Sequence, residues 1–229
     1  MSRIPLLLCL AAVVTAANFQ AIHGFEPHFV PPPGAGFISI KDAPYNAKGD
    51  GVSDDTAAFK AAIEADQPRS IYIPAGTYLI SDQLRYGKAA DKKKRTLLIG
   101  EKRSTTIIKL KNNAAGFGDA SAPKAFIHTR KAEQQAEQNF FMYIQHLTVE
   151  IGSGNPGAIG INFHTNNTGA IKDVTVRASD PVNGRGHTGI ACDDYWFGPG
   201  NVRFAAVRGF ATGVRIGSAQ NHTTLEHLT

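Results

Sequence analysis

Four short segments of this chain repeat one pattern, and that repeat restricts the fold more than any other feature. They are Ile144-Gln145-His146-Leu147-Thr148-Val149-Glu150, Ile171-Lys172-Asp173-Val174-Thr175-Val176-Arg177, Val202-Arg203-Phe204-Ala205-Ala206-Val207-Arg208 and Leu225-Glu226-His227-Leu228-Thr229, with starts 27, 31 and 23 residues apart. A second set interleaves with the first: Gly160-Ile161-Asn162-Phe163-His164, Gly189-Ile190-Ala191-Cys192-Asp193 and Gly213-Val214-Arg215-Ile216-Gly217, with starts 29 and 24 residues apart. Apolar residues alternate within both sets, which is the period of a β-strand. Two strands recurring in every period of about 20–30 residues describe a solenoid of β coils. The strands follow one another too closely for helical crossovers, and the uneven period places insertions in the loops between coils. A sandwich of short strands is the competing arrangement. A sandwich has no need for equivalent positions to recur in one order with one in/out phase.

Upstream of the repeats the signals are shorter. Phe37 to Ile40 reads as a first strand. The turn Gly49-Asp50-Gly51-Val52-Ser53-Asp54-Asp55-Thr56 leads into a helix, for which Asp54 or Asp55 is a suitable N-cap. Ala58, Phe59, Ala62 and Ile63 fall at helical spacing, so Thr56 to Ala65 is expected to be a short amphipathic helix that buries one face. Strands are expected at Ile71–Ile73, Thr77–Ile80, Leu97–Ile99 and Thr106–Leu110.

Composition adds bounds rather than identity. Hydrophobic residues make up 42% of the 229 and charged residues 19%, which is globular. Residues 1–17 stand apart: Arg3 is followed by the apolar run Ile4 to Val14, and Val14-Thr15-Ala16-Ala17 offers small residues to a signal peptidase. They read as a cleaved secretory signal, too short to span a bilayer, so the expected localisation is secreted or periplasmic, with no membrane span elsewhere. Residues 18–36 are irregular, with Pro31-Pro32-Pro33-Gly34 as a stiff linker. Cleavage after residue 17 leaves Cys192 as the lone cysteine, so intrachain disulfides are excluded and a packed core must hold the fold. The run Lys92-Lys93-Lys94-Arg95 reads as a solvated loop, not as a nucleic-acid site.

The stretch Asp42-Ala43-Pro44-Tyr45-Asn46-Ala47-Lys48-Gly49-Asp50-Gly51-Val52-Ser53-Asp54-Asp55-Thr56-Ala57-Ala58-Phe59-Lys60-Ala61-Ala62-Ile63 closely resembles the N-terminal signature of the pectate-lyase superfamily, in its rhamnogalacturonase-, epimerase- and polygalacturonase-related branches. Ile71-Tyr72-Ile73-Pro74-Ala75-Gly76-Thr77-Tyr78 is similar to the strand and turn that follow it there. The resemblance implies an all-β, right-handed parallel β-helix over residues 37–229, with the short helix capping its N-terminal end. It marks the fold better than the reaction, since hydrolases, lyases, epimerases and phage tail proteins share this scaffold. Thr229 falls inside an expected strand, and 37–229 is therefore expected to be the N-terminal part of a longer solenoid.

The resemblance implies a secreted carbohydrate-active protein, a glycoside hydrolase or lyase acting on pectin-like or other extracellular glycans. The alternative is a non-catalytic β-helix that binds glycans or attaches to surfaces. With the second strand set in register, Ile161, Phe163, Ile190, Cys192, Val214 and Ile216 share the inward face. Asn162, Ala191 and Arg215 then form one outward ladder, and His164, Asp193 and Gly217 the next. Glycoside hydrolysis needs two carboxylates, and Asp193-Asp194 is the candidate catalytic pair. His164, Arg215, His187 and Trp196 are the candidate substrate-binding residues. Polygalacturonases combine an Asp-Asp pair with Gly-His-Gly and Arg-Ile-Lys. Here Gly186-His187 continues with Thr188 and precedes the pair, and Arg215-Ile216 continues with Gly217, so that mechanism does not carry over. Adjacent strand residues also face opposite ways, so both aspartates point outward only if the strand ends at Asp193. If the reaction is elimination, Arg215 would be the base and Asp193 and Asp194 the ligands of a Ca2+ ion. No other cofactor and no metal-ligand spacing is expected, and Asp50, Asp54 and Asp55 read as turn and cap residues. Glu150, Arg177 and Arg208 are expected to form a surface charge ladder on the other sheet.

Overall fold

A computed structural model of the chain describes residues 26–63, 69–86, 95–130, 140–179, 185–193, 197–217 and 221–229. The expected signal peptide, Asp194 and Trp196 lie outside these residues. The elements in chain order are β1 (Phe37–Ser39), β2 (Asp50–Asp54), α1 (Thr56–Ile63), β3 (Arg69–Ile73), β4 (Gly76–Ile80), β5 (Leu84–Arg85), β6 (Thr96–Gly100), β7 (Thr106–Leu110), β8 (Lys124–His128), β9 (Phe140–Ile151), β10 (Ala158–Asn162), β11 (Asn166–Ala178), β12 (Gly186–Cys192), β13 (Phe197–Arg208), β14 (Phe210–Ile216) and β15 (Asn221–Glu226).

Each strand pairs in parallel with its counterpart one coil away, and the fold is a right-handed parallel β-helix. The register is the one the repeats predict: Ile144, Ile171, Val202 and Leu225 stack on one another, as do Ile161, Ile190 and Val214. Strands β5, β8, β10, β12 and β14 make a five-stranded face. The other ten strands form one hydrogen-bonded sheet that turns a corner. The first half of β9 pairs with β6 (Leu97↔Tyr143) and its second half with β7 (Ile107↔Thr148).

The corner is built from one residue per coil. His146, Asp173, Phe204 and His227 hold φ values of 54°, 54°, 52° and 51° and occupy equivalent positions in successive coils. A left-handed residue inside a strand flips the side-chain phase, so Met142 and Ile144 point inward before the corner, and Leu147, Val149 and Ile151 after it. Asp and His tolerate this backbone region better than most residues. The corner aspartate does more than tolerate it. Asp173 Oδ2 lies 2.9 Å from His146 Nδ1, and Arg103 Nη1 lies 3.1 Å from Asp173 Oδ1.

The helix occupies the place of the five-stranded face in the first coil, next to β5 and β3. Phe59, Ala62 and Ile63 are buried, and the Phe59 ring meets the edge of Tyr78 with centroids 5.4 Å apart. Burying a side chain of Phe size contributes about 1.5–3 kcal/mol, enough to hold a helix too short to be stable alone. Asp54 Oδ1 caps the helix by accepting from Thr56 N at 2.9 Å. Asp55 clamps the preceding turn, taking Lys48 N at 2.7 Å and Gly49 N at 3.0 Å. Asp50 accepts from Val52 N, Ser53 N and Ser53 Oγ, and these bonds hold its carboxyl down at about 2. All three aspartates are thus used within the turn.

One inward and one outward assignment need correction. Val214 packs against the core, but Ile216 is 43% exposed because β14 is the edge strand of its face. His164 is fully buried rather than part of an outward ladder. Strand β10 ends at Asn162, and Thr129 Oγ1 clasps the backbone beyond it, donating to His164 O at 2.7 Å and accepting from His164 N at 2.6 Å.

Candidate functional site on the five-stranded face

The outward side of the five-stranded face carries one continuous column of side chains. Arg85, His128, Asn162, Ala191 and Arg215 are in direct register on β5, β8, β10, β12 and β14. At about 4.8 Å per rung the column runs about 19 Å along the tube axis. Ile161 and Ile190 beside it are buried in the core, so alternation sends Asn162 and Ala191 outward. Glycines set the depth of this face. A Cβ on Gly160 would fall 2.5 Å from Val176 Cγ1, and one on Gly189 would fall 2.2 Å from Val207 Cγ1. Their absence lets the five-stranded face lie close against the opposite wall.

Apolar residues are buried along this face, with Ala191 of the column among them. Ala125, Ile159 and Ala191 form a small cluster separate from the main core. Arg85 and His128 are partly exposed, and Arg85 Nε donates to Arg130 O at 3.1 Å. Asn162 Oδ1 is shielded and accepts no hydrogen bond. A shielded acceptor left without a donor costs about 1–3 kcal/mol.

Of the residues expected to form the site, Asp193 and Arg215 meet. Asp193 directly follows β12, and Arg215 Nε donates to Asp193 Oδ2 at 2.6 Å. Both side chains are partly exposed. His187 lies near the opposite end of β12, four residues from Ala191, with Nδ1 3.0 Å from Thr188 Oγ1. His164 is enclosed as described above. Asp194 and Trp196 fall outside the described residues. Arg85 was missed because β5 is two residues long, and His128 because β8 lies upstream of the aligned repeats, although Ile127-His128 carries the same Ile-polar cue as Ile161-Asn162. Among the described residues, no group of three or more His, Cys, Asp or Glu side chains converges.

The charge ladder on the far side of the tube is structural. Glu150 receives Lys109 Nζ at 2.8 Å, Arg177 Nη2 at 2.6 Å and Ser179 Oγ at 3.0 Å. Burial opposes its ionisation, but the bonds from Lys109 and Arg177 outweigh that and hold its carboxyl below the ordinary range. Arg208 tops the ladder, exposed.

Residues 37–229 match the family described as "Rhamnogalacturonase A/epimerase, pectate lyase-like". The chain belongs to that family. It is similar to a glucan 1,3-beta-glucosidase of Cochliobolus carbonum, 25% identical over 199 residues that cover 80% of this chain and 24% of that protein. It is also similar to the pre-neck appendage protein of Bacillus phage phi29, 36% identical over 83 residues, 36% of this chain and 8% of that one. The chain therefore spans about a quarter of the length of the first relative and under a tenth of the second. Among solved structures, Geobacillus virus E2 ORF18 is similar in fold, with a TM-score of 0.51 at 20% identity over 75% of this chain and 30% of that chain. Among the described residues of this rhamnogalacturonase A/epimerase family chain, no helix is long and apolar enough to cross a membrane.

Proposed function

We propose that the chain is exported under the direction of residues 1–17 and is a carbohydrate-active protein that holds an extracellular polysaccharide along the outward column of the five-stranded face. The column itself carries this reading. A row of Arg85, His128, Asn162 and Arg215 in register offers what a sugar chain requires, polar donors along one edge at the spacing of successive coils. The excess of arginine on this face favours a glycan bearing carboxylates. The family and the likeness to a glucan 1,3-beta-glucosidase support cleavage of glycosidic bonds, by hydrolysis or by elimination.

Hydrolysis needs two carboxylates, and the described face presents Asp193. Asp194, next in sequence, is the proposed second member. In elimination Arg215 would take the proton, and the Asp193 contact is then what positions its guanidinium. A second reading, binding without cleavage, is favoured by the likeness to a phage appendage protein. Incubation with a panel of polyuronates and β-glucans separates the three. New reducing ends alone mean hydrolysis. Reducing ends together with ultraviolet absorbance from an unsaturated sugar mean elimination. Retention on an insoluble glycan without either means binding. No activity and no retention on any glycan would sink the proposal.

A further inference from the structure

We propose that Asn166 is an acceptor for an N-linked glycan, an inference that rests on the reading of the chain as exported. Asn166-Asn167-Thr168 is an N-x-T sequence with no proline at its centre, the pattern modified on surface loops of secreted proteins. Its place in the fold fits that role. Asn166 is the first residue of β11, where the chain leaves the five-stranded face and enters the ten-stranded sheet. Against β9, Asn166↔Phe140 is followed by Gly169↔Met142, and against β13, Asn166↔Gly198 is followed by Ala170↔Asn201. The strand thus carries one extra residue relative to both neighbours, and the bulge pushes it out of the ladder. Asn167 takes the left-handed conformation there, with φ 63°, and is exposed. Thr165 Oγ1 closes the turn by donating to Thr168 O at 2.8 Å. The sequence and the bulge therefore coincide at the start of β11, where Asn166 is partly exposed and Asn167 beside it is exposed.

The chain holds a second such sequence, Asn221-His222-Thr223, and Asn221 opens β15 at the same corner two coils further along. Two rungs separate the acceptors by about 10 Å along the axis. The transfer itself is a substitution. Asn166 Nδ2 bonds to the anomeric carbon of an oligosaccharide carried on a lipid diphosphate, the bond from that carbon to the diphosphate oxygen breaks, the lipid diphosphate leaves, and the amide nitrogen gives up one proton to the transferase.

The test is production of the full chain in a eukaryotic secretory host. Release into the medium without residues 1–17 reports export, and amidase treatment in heavy-oxygen water marks a glycosylated asparagine as labelled aspartate. The expected result is the label at Asn166 in exported protein, with one glycan lost in Thr168→Ala while export is retained. Thr168→Ala removes the acceptor pattern but keeps Asn166 and the backbone oxygen that Thr165 uses. Exported chain with an unmodified Asn166 overturns the proposal, whatever is found at Asn221. Chain retained in the cell with residues 1–17 attached sinks the export reading and takes the glycan with it.

Discussion

His146 and Asp173 stand on consecutive rungs of one corner of the tube, Nδ1 to Oδ2 at 2.9 Å, and both hold a left-handed backbone. Arg103 closes the other oxygen of Asp173 at 3.1 Å. The pair joins two coils at the point where the sheet bends, 27 residues apart in the chain.

Asp173→Ala is expected to strip His146 and Arg103 of their shared acceptor. Asp173 is nearly buried while Arg103 remains partly exposed, so the loss should be about 2–3 kcal/mol, below that of a fully enclosed pair. His146→Asn keeps a residue suited to the left-handed region and should cost only about 1 kcal/mol. Thermal or denaturant unfolding of both variants checks the order. Equal losses would show that the His146–Asp173 bond carries the whole effect, and that the Arg103 contact and the backbone preference add nothing at the corner.

The glycines of the five-stranded face offer a contrast within one column. Gly189→Ala places a methyl 2.2 Å from Val207 Cγ1 and 2.7 Å from Gly213 O, and the backbone oxygen cannot give way. A loss of about 1–3 kcal/mol follows from such overpacking. Gly213 has nothing within 4 Å of the same position, so Gly213→Ala should be neutral or slightly stabilising. Midpoints of chemical denaturation decide it, and a Gly213→Ala loss as large as that of Gly189→Ala would contradict the packing.

Acid should weaken the tube at two carboxylates, one on the far wall and one beside the helix. The Glu150 carboxyl is held below its ordinary value in the folded chain by Lys109 and Arg177, despite burial. Asp82 is also held below its ordinary value, against desolvation, by Lys124 and Lys60 at 2.8 and 2.7 Å. A depressed folded value means that protons bind the unfolded chain more readily. Both contributions are therefore complete above about pH 4–4.5 and fade as pH falls through the folded values. Glu150→Gln should lower stability at neutral pH and flatten the acid limb of a stability-against-pH curve. An unchanged acid limb in that variant would remove Glu150 from the account.

At the candidate site, Asp193→Asn and Arg215→Ala should each lose glycan retention or cleavage by tenfold or more, with stability shifts of no more than about 1 kcal/mol, since the pair is partly exposed. The combined measurement matters: loss of function with an unchanged melting curve places the pair in the site, whereas full function in both variants takes it out. Asp194→Asn tests the second carboxylate by the same criterion.

Much of this was legible in the chain itself. Alternation of apolar residues is a local property, so the stacking of Ile144, Ile171, Val202 and Leu225 and of Ile161, Ile190 and Val214 followed from their own segments. The short helix was equally legible, through its cap and spacing. The candidate site was legible only where it shares the repeat. The register of Asn162, Ala191 and Arg215 was read correctly, although Ala191 is buried, but His164 was carried too far along a strand that stops at Asn162. Arg85 was passed over because β5 is two residues long and offers no period to count.

The amino-acid sequence alone determined the coil, its register and the direction of most side chains, because each strand writes its in/out pattern in its own residues. Only the tertiary structure decided where strands end and corners fall, and so which polar groups meet. Thr129 reaches His164 across 35 residues, Arg103 reaches Asp173 across 70, and Arg215 reaches Asp193 across 22. Such meetings depend on loop lengths between coils, and no local pattern in the chain encodes the distance that a loop closes.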